Sequence, residues 1–206
     1  MKELRTPPGR AGRMKVRHSL DVARRGADLL DQKLRILRAR HETLLAAEET
    51  ARAAWHERLR EAETWLRRGL LLAGDEALEA PAPVRPAEID IVRTSTMGVR
   101  HPETARCALP RREPDIPAPA NTALIHAEAA YAEAVRAAAD HAVARAAARE
   151  IGAEVLRTRQ RVRALQRHWI PRLERALARA DAALEQSEHE DAVRRRWSAR
   201  TSADRA

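Results

Sequence analysis

Val16, Leu20, Ala23, Ala27, Leu30, Leu34, Leu37, His41, Leu44, Glu48, Ala51 and Trp55 follow one another at steps of four and three that alternate without a break. A stripe with that heptad spacing stays on one side of an α-helix only if another helix faces it, so the chain must form a helix pair. Leu59, Ala62, Leu66 and Gly69 continue the stripe after one extra step of four, a stutter that locally unwinds a supercoil. A second stripe opens with Leu124, Ala127, Tyr131, Ala134, Ala138 and His141. Beyond an Ala-rich stretch it runs through Ile151, Val155, Thr158, Val162, Leu165 and Trp169, then Leu173, Leu177, Ala180 and Leu184. Pro171 falls inside it and is expected to bend the helix within one turn before it, near Arg167 and His168. At 1.5 Å per residue the two stretches reach roughly 90 and 120 Å, too long to stand as single helices, and the connector between them permits antiparallel pairing.

The boundaries follow from helix-breaking residues. Residues 1–12, with Thr6-Pro7-Pro8-Gly9, read as a basic, flexible lead-in, and residues 13–74 as the first coiled-coil helix, stopped by Gly74. Between 75 and 120 the prolines Pro81, Pro83, Pro86, Pro102, Pro110, Pro114, Pro117 and Pro119 forbid a long helix. Ile89-Asp90-Ile91-Val92-Arg93-Thr94 followed by Met97-Gly98-Val99 predicts a strand or hairpin there. Asn121 is a good N-cap for a second helix over 121–200, with 201–206 as a flexible tail. The fold class is therefore all-α dominated: a long antiparallel two-helix coiled coil with a small central strand or hairpin and loop module.

Composition narrows function. With no Phe, one Tyr and four Trp, and Ala at many inward positions, little apolar area is buried per residue, so stability must come from length and partners. The formal charge of +9 favours an acidic partner, a nucleic acid or an anionic surface without choosing among them. A single Cys107 excludes an intramolecular disulfide framework and multi-Cys metal sites. No apolar run nears bilayer length, and the basic start lacks the apolar segment of a signal peptide, so a cytoplasmic protein, soluble or peripheral, is expected. The arginines are spread around both helices among Glu and Asp with no aromatic stacking platform, which argues against a nucleic-acid function.

No phosphate loop, dinucleotide fingerprint, HExxH or nucleophile elbow occurs, so no catalytic residue, cofactor or metal is expected. His41 and His141 lie on inward stripes, where a partly buried histidine explains them better than a ligand. Gly26 and Gly152 interrupt strong helices, each at about 1 kcal/mol relative to Ala. Close approach of the two helices is the ordinary explanation, and close approach of another protein's backbone the functional one. Trp55, Trp65, Trp169 and Trp197 are either plugs of the helix pair or anchors for a partner. Antiparallel pairing would bring Lys2, Arg5, Arg10, Arg13, Lys15 and Arg17 beside Arg194, Arg195, Arg196 and Arg200. Such a basic tip repels itself unless it is solvated or enters an acidic or polar socket.

Three passages carry a family resemblance. Gly26-Ala27-Asp28-Leu29-Leu30-Asp31-Gln32-Lys33 is similar to the pattern Gly-x-x-Leu-Leu-x-x-Lys, and Gly98-Val99-Arg100-His101-Pro102 to Gly-Val-x-x-Pro. The most specific runs from Glu150-Ile151-Gly152 through Arg157-Thr158-Arg159-Gln160-Arg161-Val162-Arg163-Ala164-Leu165 to Ile170-Pro171-Arg172-Leu173. Together they resemble the D subunit of rotary V-type and A-type ATPases, the counterpart of the F-type gamma subunit. Pro8-Gly9-Arg10 is a weakened echo of that family's Pro-Thr-Arg, Leu34 replaces an Arg common after the Lys, and Cys107 to Pro119 has no clear match.

The resemblance implies a non-catalytic central-stalk subunit of an ATPase or ATP synthase, peripheral on the cytoplasmic face of the plasma membrane and serving ATP synthesis and proton or other ion transport. It implies an axle, Val16 to Leu45 with Val155 to Arg200, inside a hexamer of A and B subunits. An F subunit would sit on the shaft and a funnel-shaped subunit would join it to the membrane ring, with no direct nucleotide binding and no nucleic acid. The interface and structural candidates are Gly26, Leu30, Lys33, Gly98, Pro102, Gly152, Thr158, Arg159, Arg161, Val162, Leu165, Ile170, Pro171, Leu173, Arg194, Arg195 and Arg196. The alternative is a free-standing coiled-coil scaffold or nucleic-acid-associated protein, which would purify as a stable dimer or bind DNA with a steep salt slope.

Overall fold

The computed structural model describes residues 9–78, 86–110 and 119–203. Lys2, Arg5, Pro81, Pro83, Pro114 and Pro117 lie outside them. Helix α1 (Gly9–Ala73) is followed by a 3-10 turn and by two strands, β1 (Glu88–Thr96) and β2 (Val99–Ala108). Helix α2 (Thr122–Ala164) then passes through a π turn (Leu165–Trp169) into α3 (Ile170–Ala203). The chain is mostly helical with one antiparallel hairpin, the class that its spacing demands. Two compact units divide it: a terminal unit, from the start to Leu34 and from Arg157 to the end, and a hairpin-bearing unit, Arg35–Leu156.

In the terminal unit α1 and α3 run antiparallel, since Arg10, Arg13 and Arg24 meet Glu188, Asp181 and Glu174 in descending order. Val16, Leu20, Ala23, Leu173 and Ala176 form its core, bordered by Ile170 and Leu177. The inward positions of α1 are those of the heptad stripe. On the other strand of the pair one position changes. Pro171 has no N–H to donate and its ring crowds the carbonyl four residues back, and the chain responds by widening one turn. The Ile170 N–H bonds the Leu165 carbonyl, five residues away. That extra residue carries the inward face from Leu165 to Ile170, leaving Trp169 41% exposed, which corrects the stripe expected to pass through Trp169.

The hairpin-bearing unit has the same antiparallel logic, with His41 against Gly152, Trp55 against His141, Trp65 against His126 and Gly69 against Leu124. Leu37, Leu44, Ala147, Ala148 and Ile151 form the core, and Val99 of β2 packs on it together with Val155. Helix α1 stops at Gly74, whose φ of +74° suits a glycine and whose N–H bonds the Leu70 carbonyl at 2.8 Å. Asn121 starts α2: its Oδ1 accepts the Leu124 N–H at 3.0 Å, and its Nδ2 donates to the Gly69 carbonyl at 3.0 Å, tying the second helix to the end of the first.

Met97 and Gly98, with φ of +52° and +81°, make the two-residue turn that suits the right-handed twist of paired strands. Ile89 pairs with Cys107 and Ile91 with Ala105, but Val92 faces Thr104 while Arg93 faces Pro102. Glu103 is thus the unpaired residue of a bulge, which accommodates a proline that cannot donate to a regular ladder.

Candidate functional site

Among the described residues no group of three or more His, Cys, Asp or Glu could hold a metal ion, and no helix is long and apolar enough to cross a membrane. The residues that carry the chain's distinctive patterns are instead spread over two kinds of surface: the seams that close each helix pair and the faces these pairs present outward.

In the terminal unit the pattern from Arg157 to Leu173 sorts by helix phase. Thr158, Val162 and Leu173 are buried, and Leu165, Ile170 and Pro171 are half-buried, while Arg159 and Arg161 are exposed. One short motif therefore supplies both the interior of the pair and a cationic exterior. Leu30 and Lys33 are half-buried on α1. Arg10, expected beside the arginines near the end of α3, lies against Glu188 at 2.9 Å. Arg13 is held by Asp181, and Arg24 reaches Glu174 at 2.7 Å. Arg194 turns to Glu190 and Asp191 of its own helix, and the Arg195 Nε donates to the Asp191 carbonyl. The expected gathering of like charges is thus partly neutralised, because acids occur on α3 opposite each of these α1 arginines. Exposed ion pairs of this kind are each worth under about 1 kcal/mol, so they set register more than stability.

In the hairpin-bearing unit Gly98 forms the turn and Pro102 is buried at the bulge. His101 is fully buried: its Nδ1 lies 2.9 Å from the Pro102 carbonyl and its Nε2 3.0 Å from the Thr96 hydroxyl. A proton on Nδ1 lets the ring donate to that carbonyl while Nε2 accepts the hydroxyl, bracing the two strands across the turn. Arg93 Nη2 lies 2.8 Å from both carboxylate oxygens of Glu150 and pins β1 to α2. The Arg93 pair is not legible from spacing, because it depends on where the hairpin lands on α2.

The glycines separate cleanly. A Cβ on Gly152 would stand 2.7 Å from Nε2 of His41, so Gly152 marks a close approach within the seam. Gly69, which spacing marks only as one more inward residue, is tighter: its Cβ would stand 2.5 Å from Leu124 Cδ2 and 3.2 Å from the Leu124 backbone nitrogen. A Cβ on Gly26 would meet nothing within 4 Å. The tryptophans separate too. Trp55 stacks on His141 and Trp65 lies tilted against His126 inside their unit, whereas Trp169 and Trp197 are exposed, the latter by 71%.

Comparison with known proteins completes the picture. The family model for the D subunit of ATP synthase matches residues 13–200. The D subunit of the V-type ATP synthase of Anaeromyxobacter sp. (strain Fw109-5) is 33% identical over 200 residues, covering 92% of this chain and 91% of that protein. The match takes in both helices and the hairpin, so it concerns the whole fold and not one motif.

Proposed function

The chain belongs to the ATP synthase D-subunit family, a non-catalytic central-stalk component of the ATPase or ATP synthase, and from that premise we propose that it is the shaft through which the catalytic hexamer and the membrane ring exchange torque. The observation that carries this is the match of residues 13–200 to the family. It is supported by helix pairs whose motif residues close the seam from one side and present arginine on the other.

In this reading the terminal unit enters the hexamer of A and B subunits, and the hairpin-bearing unit carries the F subunit. The funnel-shaped subunit of the membrane ring takes the torque onward, so the complex works at the cytoplasmic face of the membrane. An antiparallel pair of unlike helices presents different side chains in different directions. Each nucleotide-bearing interface around it is then held in a different state, and hydrolysis at one favours the rotation that brings the next face round. The coupling is reciprocal: driven rotation changes nucleotide affinity by the same free energy. The chain contributes geometry and stiffness, and the chemistry belongs to the hexamer.

Deletion of residues after Glu185 is expected to weaken coupling of ATP hydrolysis to the shaft while F-subunit capture is largely retained. Pull-down with the F subunit and an ATPase assay on the reconstituted complex measure the two separately, and equal loss of both would overturn the assignment of the terminal unit to the hexamer.

A further inference from the structure

The outward side of α2 carries a second helical stripe that its own unit leaves uncovered. Val135, Ala142, Ala146, Arg149, Ala153 and Leu156 recur at helical spacing, turned away from the buried Ala147 and Ile151. Val135 and Leu156, at its two ends, are 38% and 60% exposed, and the stripe positions between them are alanine or arginine. Arg145 and Arg149, one turn apart, line a shallow groove of about 380 Å³ together with His141, Ala142, Ala146 and Glu150. The positions three and four away from either arginine hold His141, Ala142, Ala146, Ala148, Gly152 and Ala153, with no carboxylate among them. Glu150 is taken by Arg93 at 2.8 Å and Glu49 of α1 by Arg52, while Asp140 and Glu154 fall on other sides of α2 by helical periodicity. Among the described residues, then, neither arginine is paired with an acid, unlike Arg10, Arg13 and Arg24 of the terminal unit. Two like charges one turn apart on a helix repel, and in the free chain that cost stands.

We propose that the face of α2 from Val135 to Leu156 is the seat of a third helix, supplied by a partner protein, that presents two carboxylates one turn apart to Arg145 and Arg149. Each observation fixes one property of that occupant. The stripe extends over roughly 32 Å, and only another helix keeps contact with a stripe of this period along its length. Alanine at positions 142, 146 and 153 lets the two backbones approach closely, and Val135 and Leu156 lose water at the ends. The uncancelled arginines select an acidic surface over a basic one, and their planar guanidinium groups suit carboxylates. A second copy of this face would set arginine against arginine, which argues for a different protein. The inference rests on the reading in which this unit carries the F subunit, and that subunit is the partner used in the test.

The full-length chain is titrated with purified F subunit at low and high salt. The double variant Arg145→Gln, Arg149→Gln removes both charges without adding an acid beside Glu150. It is expected to bind about tenfold more weakly or worse, with a smaller salt dependence. Ala142→Leu adds bulk at an exposed position, so helicity and thermal midpoint are expected to match the parent while affinity falls by a similar factor. Parent-like binding by both variants overturns the third-helix seat and leaves F-subunit capture, and with it the shaft reading, standing. Failure of the parent itself to bind the F subunit overturns that reading and the seat together. Loss in the arginine variant alone overturns the close helical approach, and loss in Ala142→Leu alone overturns the paired carboxylates. Should either variant lose helicity, a photoactivated cross-linker on Ala142→Cys in a Cys107→Ser background decides. Cross-linking to a helical, carboxylate-bearing segment of the F subunit supports the seat, and its absence in the assembled complex overturns it.

Discussion

The terminal and hairpin-bearing units are made from one helical repeat but held together differently. In the first, a narrow core of Val16, Leu20, Ala23, Leu173 and Ala176 is flanked by ion pairs that place arginine on α1 and carboxylate on α3 each time. In the second, Leu37, Leu44 and Ile151 are joined by Val99 of the hairpin, and tryptophan–histidine contacts bridge the helices further along. A two-helix seam of small residues removes little surface from water. Where a β-ribbon adds a third layer, burial alone can specify the pairing. In the terminal unit the paired charges along the seam add what the small core lacks, and they do so in a salt-dependent way.

The largest test of this difference is truncation in the covered core. Leu37→Ala is expected to destabilise the hairpin-bearing unit by about 3 kcal/mol, against about 2 kcal/mol for Leu20→Ala in the terminal unit, where one side of the pair relaxes into solvent. Hydrogen exchange resolved by segment measures both, and equal losses would remove the distinction. Next comes Gly69→Ala, whose new methyl group meets Leu124 down to its backbone nitrogen and is expected to cost about 2 kcal/mol. Gly152→Ala is expected to cost less, because only the end of the His41 ring has to move. Denaturation followed by fluorescence of Trp55 and Trp65 compares the two.

A smaller effect concerns charge. Raising ionic strength from low to about 1 M, where the screening length falls to about 3 Å, is expected to loosen exchange protection around Arg13, Arg24 and Glu174 while leaving the Leu37 region unchanged. Replacing Glu174 by Gln should lower stability by under about 1 kcal/mol and remove part of that salt response. Uniform loosening of both units would show that the ion pairs do not distinguish them. The smallest expected change is Pro171→Ala, which restores a donor and removes the ring. The Leu165–Trp169 turn is then expected to tighten toward α geometry in a structure of the variant. Persistence of the wide turn would mean that burial of Ile170 and Leu173, and not the proline, holds it.

Much of the fold is legible because helix pairing imposes a period that the sequence must obey. Of the first stripe, Val16, Leu20, Ala23, Ala27, Leu34, Leu37 and Leu44 are buried, and Gly74 and Asn121 act as stop and start. The period fails at Trp169, because Pro171 reads as a disturbance but not as one that adds a residue to the turn. It also misses the burial of Ala139 and Val143, off the stripe of α2. The candidate residues show the same limit. Thr158, Val162 and Leu173 are readable as seam, but whether Gly26 and Gly152 are alike depends on what stands opposite each.

Residue order alone indicated a pair of long helices separated by a small strand or hairpin module, because four-three spacing, proline placement and a short β-prone run act through local geometry. Tertiary structure decided which glycine accommodates a neighbour and which stands open, which arginines find carboxylates, and which tryptophans are covered. Those outcomes depend on distances between residues far apart in the chain, and packing fixes such distances while local propensity does not.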